Sequence, residues 1–243
     1  MENNYFQRAL IMSSDLRGYG QGTDRRHEIM QRNFVDLHAT AAVAAGLDRE
    51  SWEIQPGGDG ELAILPASES EPRVVDTYMR ALHQDLVRRN SVLAPDERLR
   101  LRVALAFGTA YPSANGYAGQ AVVEASRLVA WQPLKEIFNA RAEVNIAVIL
   151  SRRVFEDVVL QEHTSYREAD FQKVMVRRKE FSGLAWVWAP EIDRASLSRL
   201  FDPAETTADR QNTGVNVSQR AEVITNMRGP VDARRANFGI SRP

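Results

Sequence analysis

The chain has 243 residues, and its 31 Lys and Arg nearly balance its 32 Asp and Glu. This balance lacks the basic excess of a nucleic-acid-binding surface, so we expect no nucleic-acid partner. The chain has no cysteine, which excludes disulfides and thiol chemistry and agrees with a cytoplasmic location. No basic leader with an apolar run and no stretch of about 18 apolar residues is present, so we predict neither a signal peptide nor a membrane span.

Hydrophobic periodicity divides the chain into alternating strands and helices. In chain order these are a strand at 8–14, a helix at 23–46, a hairpin at 52–55 and 61–65, a helix at 75–90, a strand at 99–109, a helix at 119–131, a strand at 144–150, a helix at 152–160, and strands at 171–178 and 185–189. The order is β-α-β-β-α-β followed by α-β-α-β-β. Its first six elements predict an α+β fold with a ferredoxin-like α/β sandwich.

The composition changes after Pro190. We predict one domain over 1–192, followed at 193–243 by a short helix ending near Phe201 and a polar tail. The segment 209–243 has too few large apolar residues for a core of its own, which favours a disordered tail. The spacing of its Val and Ile residues leaves open a second interpretation, a strand added to a partner.

Two aspartates, each at a strand end and beside glycine, form the strongest candidate site. Asp15 follows the first strand, and Asp59 lies at the tip of the hairpin. Two adjacent carboxylates repel unless a cation lies between them, as in magnesium or manganese sites. An isolated aspartate in either place is usually a turn residue, whereas the pair in this strand order favours a two-metal site. The glycine-rich loop 18–20 precedes a helix N-terminus, where backbone amides suit phosphate.

The motifs resemble those of class III nucleotidyl cyclase catalytic domains, the adenylyl and guanylyl cyclases. The similarity lies in SSDLRGYG, GGDGELAIL, LRVALAFGTA, YAGQAVVEASRL and the closing segment QKVMVRRKEFSGLAWVWAP. It covers about residues 8 to 190. The resemblance implies a class III cyclase-like fold and a homodimer whose active sites form between two chains. It further implies that a nucleoside triphosphate is converted to a cyclic 3′,5′-nucleotide with two divalent Mg or Mn ions.

The resemblance also implies roles for single residues. Asp15 and Asp59 would bind both ions, with the carbonyl of Leu16 as a further ligand. Arg127 would stabilise charge on the transferred phosphoryl group. The polyphosphate and base contacts implied or expected are Gly18, Tyr19, Gly20, Gln55, Tyr117, Arg178 and Lys179.

The sequence departs from the family at the residues that read the base. Gln55 stands where adenylyl cyclases carry Lys, and Gly116, beside Tyr117, stands where they carry Asp. Val123 replaces an expected Asn of the reaction centre. These changes leave two interpretations open. The first is an enzyme for a pyrimidine substrate, UTP or CTP; the second is a weak or inactive cyclase-like domain that binds nucleotide as a regulatory module.

The first interpretation has a biological counterpart. The chain resembles the bacterial pyrimidine cyclases of antiphage defence, whose cyclic product activates a separate effector. GGDGELAIL also resembles the GGDEF motif of diguanylate cyclases, but Gly60 and Glu61 replace that motif's Glu and Phe. The downstream segments fit the class III pattern better. The histidines lack metal-ligand spacing, and we attribute His27, His38 and His83 to polar helix faces.

Overall fold

The computed structural model describes residues 7–201, and within them one mixed sheet forms the centre of the molecule. Its strands are β1 (Gln7–Leu16), β2 (Glu53–Pro56), β3 (Gly60–Leu65), β4 (Leu101–Ser113), β5 (Gly116–Ala118), β6 (Ile146–Ser151), β7 (Gln172–Arg178) and β8 (Phe181–Trp188). Their spatial order is β2-β3-β1-β4-β6-β8-β7, and β5 pairs with the outer end of β4. The β4–β6 pair is parallel and the other pairs are antiparallel. The predicted α+β fold class is therefore confirmed.

Helices cover both faces of the sheet. They are α1 (Asp24–Ala45), α2 (Glu71–Arg73), α3 (Met79–Asn90), α4 (Gln120–Val129), α5 (Gln132–Ala140), α6 (Arg152–Val154) and α7 (Arg194–Phe201). A π-helical segment, Val74–Tyr78, joins α2 to α3, and another, Phe155–Val159, continues α6. No helix within residues 7–201 combines the length and apolar character needed to cross a bilayer.

The alternation of side chains along the strands directs apolar residues into hydrophobic clusters on both faces of the sheet. Leu10, Met12 and Leu16 of β1 pack in the core that also contains residues of α1, α3 and α6. Ala9 and Ile11, at the intervening positions, pack against α4 on the opposite face. Asp15 shares the parity of Ile11, so its side chain belongs to the α4 face. Ser14 shares the parity of Met12 and belongs to the α1 face.

The structure differs from the predicted elements at α5 and at β5. The helix predicted over 119–131 ends at Val129, and α5, which has Pro133 in its first turn, follows it as a separate helix. The strand β5 was missed because it has only three residues and depends on Gly116 and Gly119, both with positive φ. The short helix predicted at 193–201 is α7, whereas the predicted tail at 209–243 lies outside the described residues.

Candidate active site

The pairing of β1 with β3 brings the two predicted metal-binding aspartates to one end of the sheet. Asp15 lies opposite Gly60 in the antiparallel register, and Asp59 immediately precedes Gly60. The backbone N–H of Leu16 donates to the carbonyl of Asp59 at 2.7 Å, which ties the two strand ends together. The charge of Asp59 also acts on the ionisation of Asp15, as expected for neighbouring carboxylates.

Gly60 allows this close approach. A Cβ atom at position 60 would lie 2.1 Å from the carbonyl oxygen of Ser14 and 2.8 Å from the Cα of Asp15. Any side chain would therefore force β3 away from β1. The glycine that replaces the catalytic Glu of the diguanylate motif is thus required here by backbone contact.

The Asp15 carboxylate is partly buried and is paired with Arg102 of β4. Nη2 of Arg102 donates to Oδ2 of Asp15 at 2.7 Å, and Nε lies 2.7 Å from Oδ1 without the alignment of a hydrogen bond. Burial raises the pKa of Asp15 to about 6, Arg102 opposes this rise, and Asp59 adds to it. Lys135 also opposes the rise, and burial is its largest cause. A cation bound at the carboxylates would offset the cost of burying the ionised group.

The donor atoms at this sheet end fit a magnesium or manganese ion. Within residues 7–201 no three His, Cys, Asp or Glu side chains form a group able to enclose a metal. Mg²⁺ does not need such a group, because it keeps several waters and is held by one or two carboxylates together with substrate phosphates. Oδ1 of Asp15 is buried and lies 2.7 Å from Nε of Arg102 in the ion pair. A carboxylate oxygen has a second lone pair, which can face a cation on the side away from Arg102.

Leu16, the third predicted metal ligand, has a buried side chain that packs in the core on the α1 face. Only its backbone carbonyl is therefore suited to the predicted role. That role stays a prediction.

The predicted phosphate loop lies against the turn that carries Asp59. Gly18 has φ +78, and its carbonyl accepts from Gln21 N at 3.1 Å, which forms the turn before α1. The ring of Tyr19 stacks on His27, with ring centroids 4.6 Å apart. Nε2 of Gln31 donates to the Tyr19 hydroxyl at 2.9 Å and to the carbonyl of Gly58 at 2.8 Å. Gln31, which sequence reasoning missed, thus links the loop 18–20 to the hairpin turn.

The predicted base-reading residues share an open cleft of about 410 Å³ with the carboxylates. Its lining residues are Ser13, Ser14, Asp15, Gln55, Pro56, Gly57, Asp59, Gly60, Glu61, Leu62, Asn115, Tyr117, Val122 and Ser126. A Cβ atom at Gly116 would lie 2.2 Å from Oε1 of Gln55, so the amide of Gln55 occupies the space of a side chain at 116. The Tyr117 hydroxyl donates to Oε2 of Glu53 at 2.5 Å, and this bond raises the pKa of Tyr117 to about 12.

The predicted catalytic arginine lies in a different group of side chains. Nη2 of Arg127, at the end of α4, donates to Oε1 of Glu180 at 2.7 Å. Glu180 and Lys179 form the turn between β7 and β8, and Arg178 precedes them. Within residues 7–201 no hydrogen bond or ion pair joins these three basic residues to Asp15 or Asp59. Within one chain Arg127 is therefore paired with Glu180 and not with the carboxylates. We call Arg127, Arg178 and Lys179 the basic cluster.

One expectation about the histidines is wrong. His38 does not lie on a polar helix face but is completely buried, between Ser14 and Tyr78. Its spacing from Phe34 and Ala42 placed it on the buried stripe of α1. Arg102 was missed as well, although a basic residue between Leu101 and Val103 in an apolar strand is a signal for a buried ion pair.

Solved cyclase structures share this architecture. The chain superimposes on an adenylate/guanylate cyclase/hydrolase from Silicibacter pomeroyi with a TM-score of 0.55 at 18% identity, over 76% of this chain and 98% of that one. A bacterial light-regulated adenylyl cyclase matches with a TM-score of 0.51 at 13% identity, over 82% of this chain and 58% of that one. No protein-family model and no curated protein sequence matches. At these identities the comparison shows a class III cyclase-like fold.

Proposed function

We propose that this chain is a metal-dependent nucleotidyl cyclase, which forms a cyclic 3′,5′-nucleotide and diphosphate from a nucleoside triphosphate. The observation that carries the proposal is the pair Asp15 and Asp59 beside a glycine-rich loop in a cyclase-like fold. Asp15 is buried beside Arg102, and each oxygen of its carboxylate has a second lone pair that the ion pair does not use. That combination suits a cation that also binds phosphate.

The residues of the chain would divide the chemistry between them. Asp15 and Asp59, with the Leu16 carbonyl, would hold two ions, which activate the ribose 3′-hydroxyl and neutralise the triphosphate. The backbone amides of Gly18, Tyr19 and Gly20 would bind phosphate oxygens at the start of α1.

The basic cluster would complete this site from another copy of the chain. Arg127 would stabilise charge on the transferred phosphoryl group, and Arg178 or Lys179 would contact the polyphosphate. Within one chain Arg127 pairs with Glu180 and makes no hydrogen bond or ion pair with the carboxylates, which is compatible with a homodimer in which each site uses both chains. In one chain Gln55 lines the carboxylate cleft. In the proposed homodimer Gln55, like Arg127, would reach the site of the other chain.

We further propose a pyrimidine substrate, UTP or CTP. The Gln55 amide fills the space that a second base-reading side chain at 116 would need. One amide that both donates and accepts can match part of the edge of uracil or cytosine, so it does not choose between them. Tyr117, held by Glu53, offers an additional polar group in the same cleft. UTP is slightly favoured on family resemblance alone.

Turnover with single triphosphates tests the proposal directly. Purified protein is incubated with Mn²⁺ and ATP, GTP, CTP or UTP, and the products are identified by mass spectrometry. We expect a cyclic pyrimidine nucleotide that Asp59→Ala eliminates and Asp36→Ala, an exposed control on α1, does not. Preference for ATP or GTP would refute the pyrimidine assignment, and metal-dependent turnover by Asp59→Ala would refute the two-metal assignment.

A second candidate function is a regulatory domain that binds nucleotide without turnover. Val123 favours it, because this residue replaces the expected Asn of the reaction centre and is 41% exposed, with no polar atom in its side chain. Loss of such a donor costs about 3 kcal/mol of transition-state stabilisation. Saturable triphosphate binding without product over a long incubation would support this candidate.

The biological part of the proposal is a signalling role in antiphage defence, with a separate effector that responds to the cyclic nucleotide. It rests on the resemblance to bacterial pyrimidine cyclases. Expression with the adjacent genes in a host challenged by phage would test it. Equal plaque counts for the wild type and Asp59→Ala would contradict it.

A further inference from the structure

A set of buried polar side chains lies behind the two carboxylates. Ser14 and Glu61 are cross-strand partners, next to the Asp15–Gly60 pair in the β1–β3 register. Both are nearly inaccessible to solvent, at 2% and 8%. Because neighbouring residues of a strand point to opposite faces, Ser14 projects toward α1 while Asp15 projects to the α4 face.

His38 of α1 connects Ser14 to the helical segment before α3. Its Nε2 is hydrogen-bonded to Oγ of Ser14 at 3.2 Å, and its Nδ1 to the hydroxyl of Tyr78 at 2.6 Å. Burial lowers the pKa of His38 to about 4, so the ring is neutral at physiological pH. A neutral imidazole has one donor and one acceptor, and both are used here.

Glu61 connects the other strand end to the segment before β2. Nη2 of Arg49 donates to Oε2 of Glu61 at 2.6 Å, and Oε1 of Glu61 lies 4.0 Å from Nδ1 of His38. The guanidinium of Arg49 in turn lies over the ring of Trp52, 5.3 Å from its centroid. Since His38 is neutral and 4.0 Å is too long for a hydrogen bond, these contacts form two neighbouring sets, one around His38 and one around Glu61. We call the two sets together the His38 network: Ser14, His38, Tyr78, Glu61 and Arg49.

Simple core packing does not require such a network. Apolar side chains of similar volume fill a core without the desolvation cost of a buried carboxylate and guanidinium. Hydrogen bonds and ion pairs add direction, because they fix the groups that they join in one arrangement. In this protein the joined groups are the residue before Asp15 and the second residue after Asp59.

We propose that the His38 network positions Asp15 and Asp59 for cation binding. The network anchors β1 to α1 and β3 to the segment before β2. The two strand ends therefore stay in the register in which the N–H of Leu16 donates to the carbonyl of Asp59. The members are positioning residues, since they act through the neighbouring backbone. This inference rests on the proposed metal site and identifies the groups that keep its two carboxylates in position.

Hydrogen exchange in the metal-free protein tests the positioning independently of any metal. Ser14→Ala removes one hydroxyl, and Tyr78→Phe serves as a second variant if Ser14→Ala does not fold. We expect the Leu16 amide to exchange roughly tenfold faster relative to amides in the centre of β4, the effect of one lost hydrogen bond. Leu82→Ala is the control: this residue is fully buried in the same core but apolar. It should speed exchange of both sets of amides by the same factor.

Manganese affinity, measured by electron paramagnetic resonance without nucleotide, tests the link to the cation. Ser14→Ala should weaken Asp59-dependent Mn²⁺ binding by about tenfold, the lower end of the effect of residues behind metal ligands. Leu82→Ala should leave it unchanged at temperatures where both variants are folded. Equal effects of the polar and apolar variants on exchange, or an unchanged Mn²⁺ affinity in Ser14→Ala, would overturn the inference.

The two proposals fail in different ways. If the wild type shows no Asp59-dependent Mn²⁺ binding, the proposed metal site is wrong, and with it the cation role of the network. The exchange experiment then still decides whether the network holds the two strand ends. If the wild type binds Mn²⁺ and only the network variants behave like Leu82→Ala, the metal site stands and the positioning role is wrong.

Discussion

Asp15→Asn is expected to stabilise the metal-free protein at neutral pH while it abolishes metal binding. The pKa of Asp15 rises from 3.8 to about 6 in the folded chain, mainly through burial. An acid whose pKa is higher in the folded state favours folding below its unfolded pKa, and this contribution is lost as the pH rises through the folded value. Ionisation of the carboxylate therefore lowers the free energy of unfolding progressively between about pH 4 and pH 6. The full loss of stability is reached above pH 6.

The size of this effect follows from the pKa difference. At about 1.4 kcal/mol per pKa unit, the rise corresponds to about 3 kcal/mol of lost stability at pH 7.5. The carboxylate side chain is 21% exposed, so the figure needs little discount for solvent screening. The Asn amide keeps one acceptor for Arg102 but loses the ion pair. We therefore expect a net gain of about 1–2 kcal/mol at pH 7.5.

Urea unfolding of the wild type and Asp15→Asn in EDTA at pH 4 and pH 7.5 measures this difference. The gain from the substitution should be present at pH 7.5 and absent or reversed at pH 4, where the wild-type carboxyl is protonated. Saturating Mn²⁺ should reverse the order at pH 7.5, since a ligand at about a hundred times its dissociation constant stabilises only the wild type, by about 2.7 kcal/mol. An equal change in the free energy of unfolding at both pH values would refute the argument that ionisation of Asp15 destabilises the folded protein.

Three other experiments test the geometry of the site. Gly60→Ala should lower stability by about 1–3 kcal/mol and eliminate turnover, because the new Cβ would lie 2.1 Å from a carbonyl oxygen of β1. Mixing inactive Asp59→Ala with inactive Arg127→Ala should restore part of the turnover, since one site of the heterodimer keeps both residues. Gly116→Ala should displace the Gln55 amide and change the ratio of turnover among the four triphosphates, with little further change when Gln55→Ala is added.

Each of these tests has its own control. Gly58→Ala is the control for Gly60→Ala, since a Cβ there would lie no closer than 3.9 Å to any neighbouring atom. Unchanged activity in Gly60→Ala would contradict the close approach. Mixed chains that exchange subunits without regaining turnover would exclude a site shared between chains. Additive effects at 116 and 55 would show that these positions act independently.

The sequence by itself predicted the elements that place the carboxylates. An apolar strand before Asp15 and a glycine-rich hairpin tip around Asp59 are local signals, because strand periodicity and turn chemistry involve residues close together in the chain. Local periodicity also predicted α1 and α3, at helical spacing, and the closing strand pair, at strand spacing. They did not separate α4 from α5, since the apolar spacing continues across the break and only Pro133 indicated a new start.

Only the tertiary structure decided which groups surround these carboxylates. Arg102 reaches Asp15 across 87 positions in the sequence, and His38 meets Tyr78 across 40. Periodicity shows that a side chain is buried. The partner of a buried polar group, and the direction in which its pKa shifts, depend on which strands become neighbours. The contact of Gln55 with Gly116 has the same origin, because β2 and β5 approach each other only after the sheet has formed. The charges and pKa values of the site therefore depend on the order of strands in the sheet. That order brings together residues that are far apart in the sequence, and no local sequence pattern encodes it.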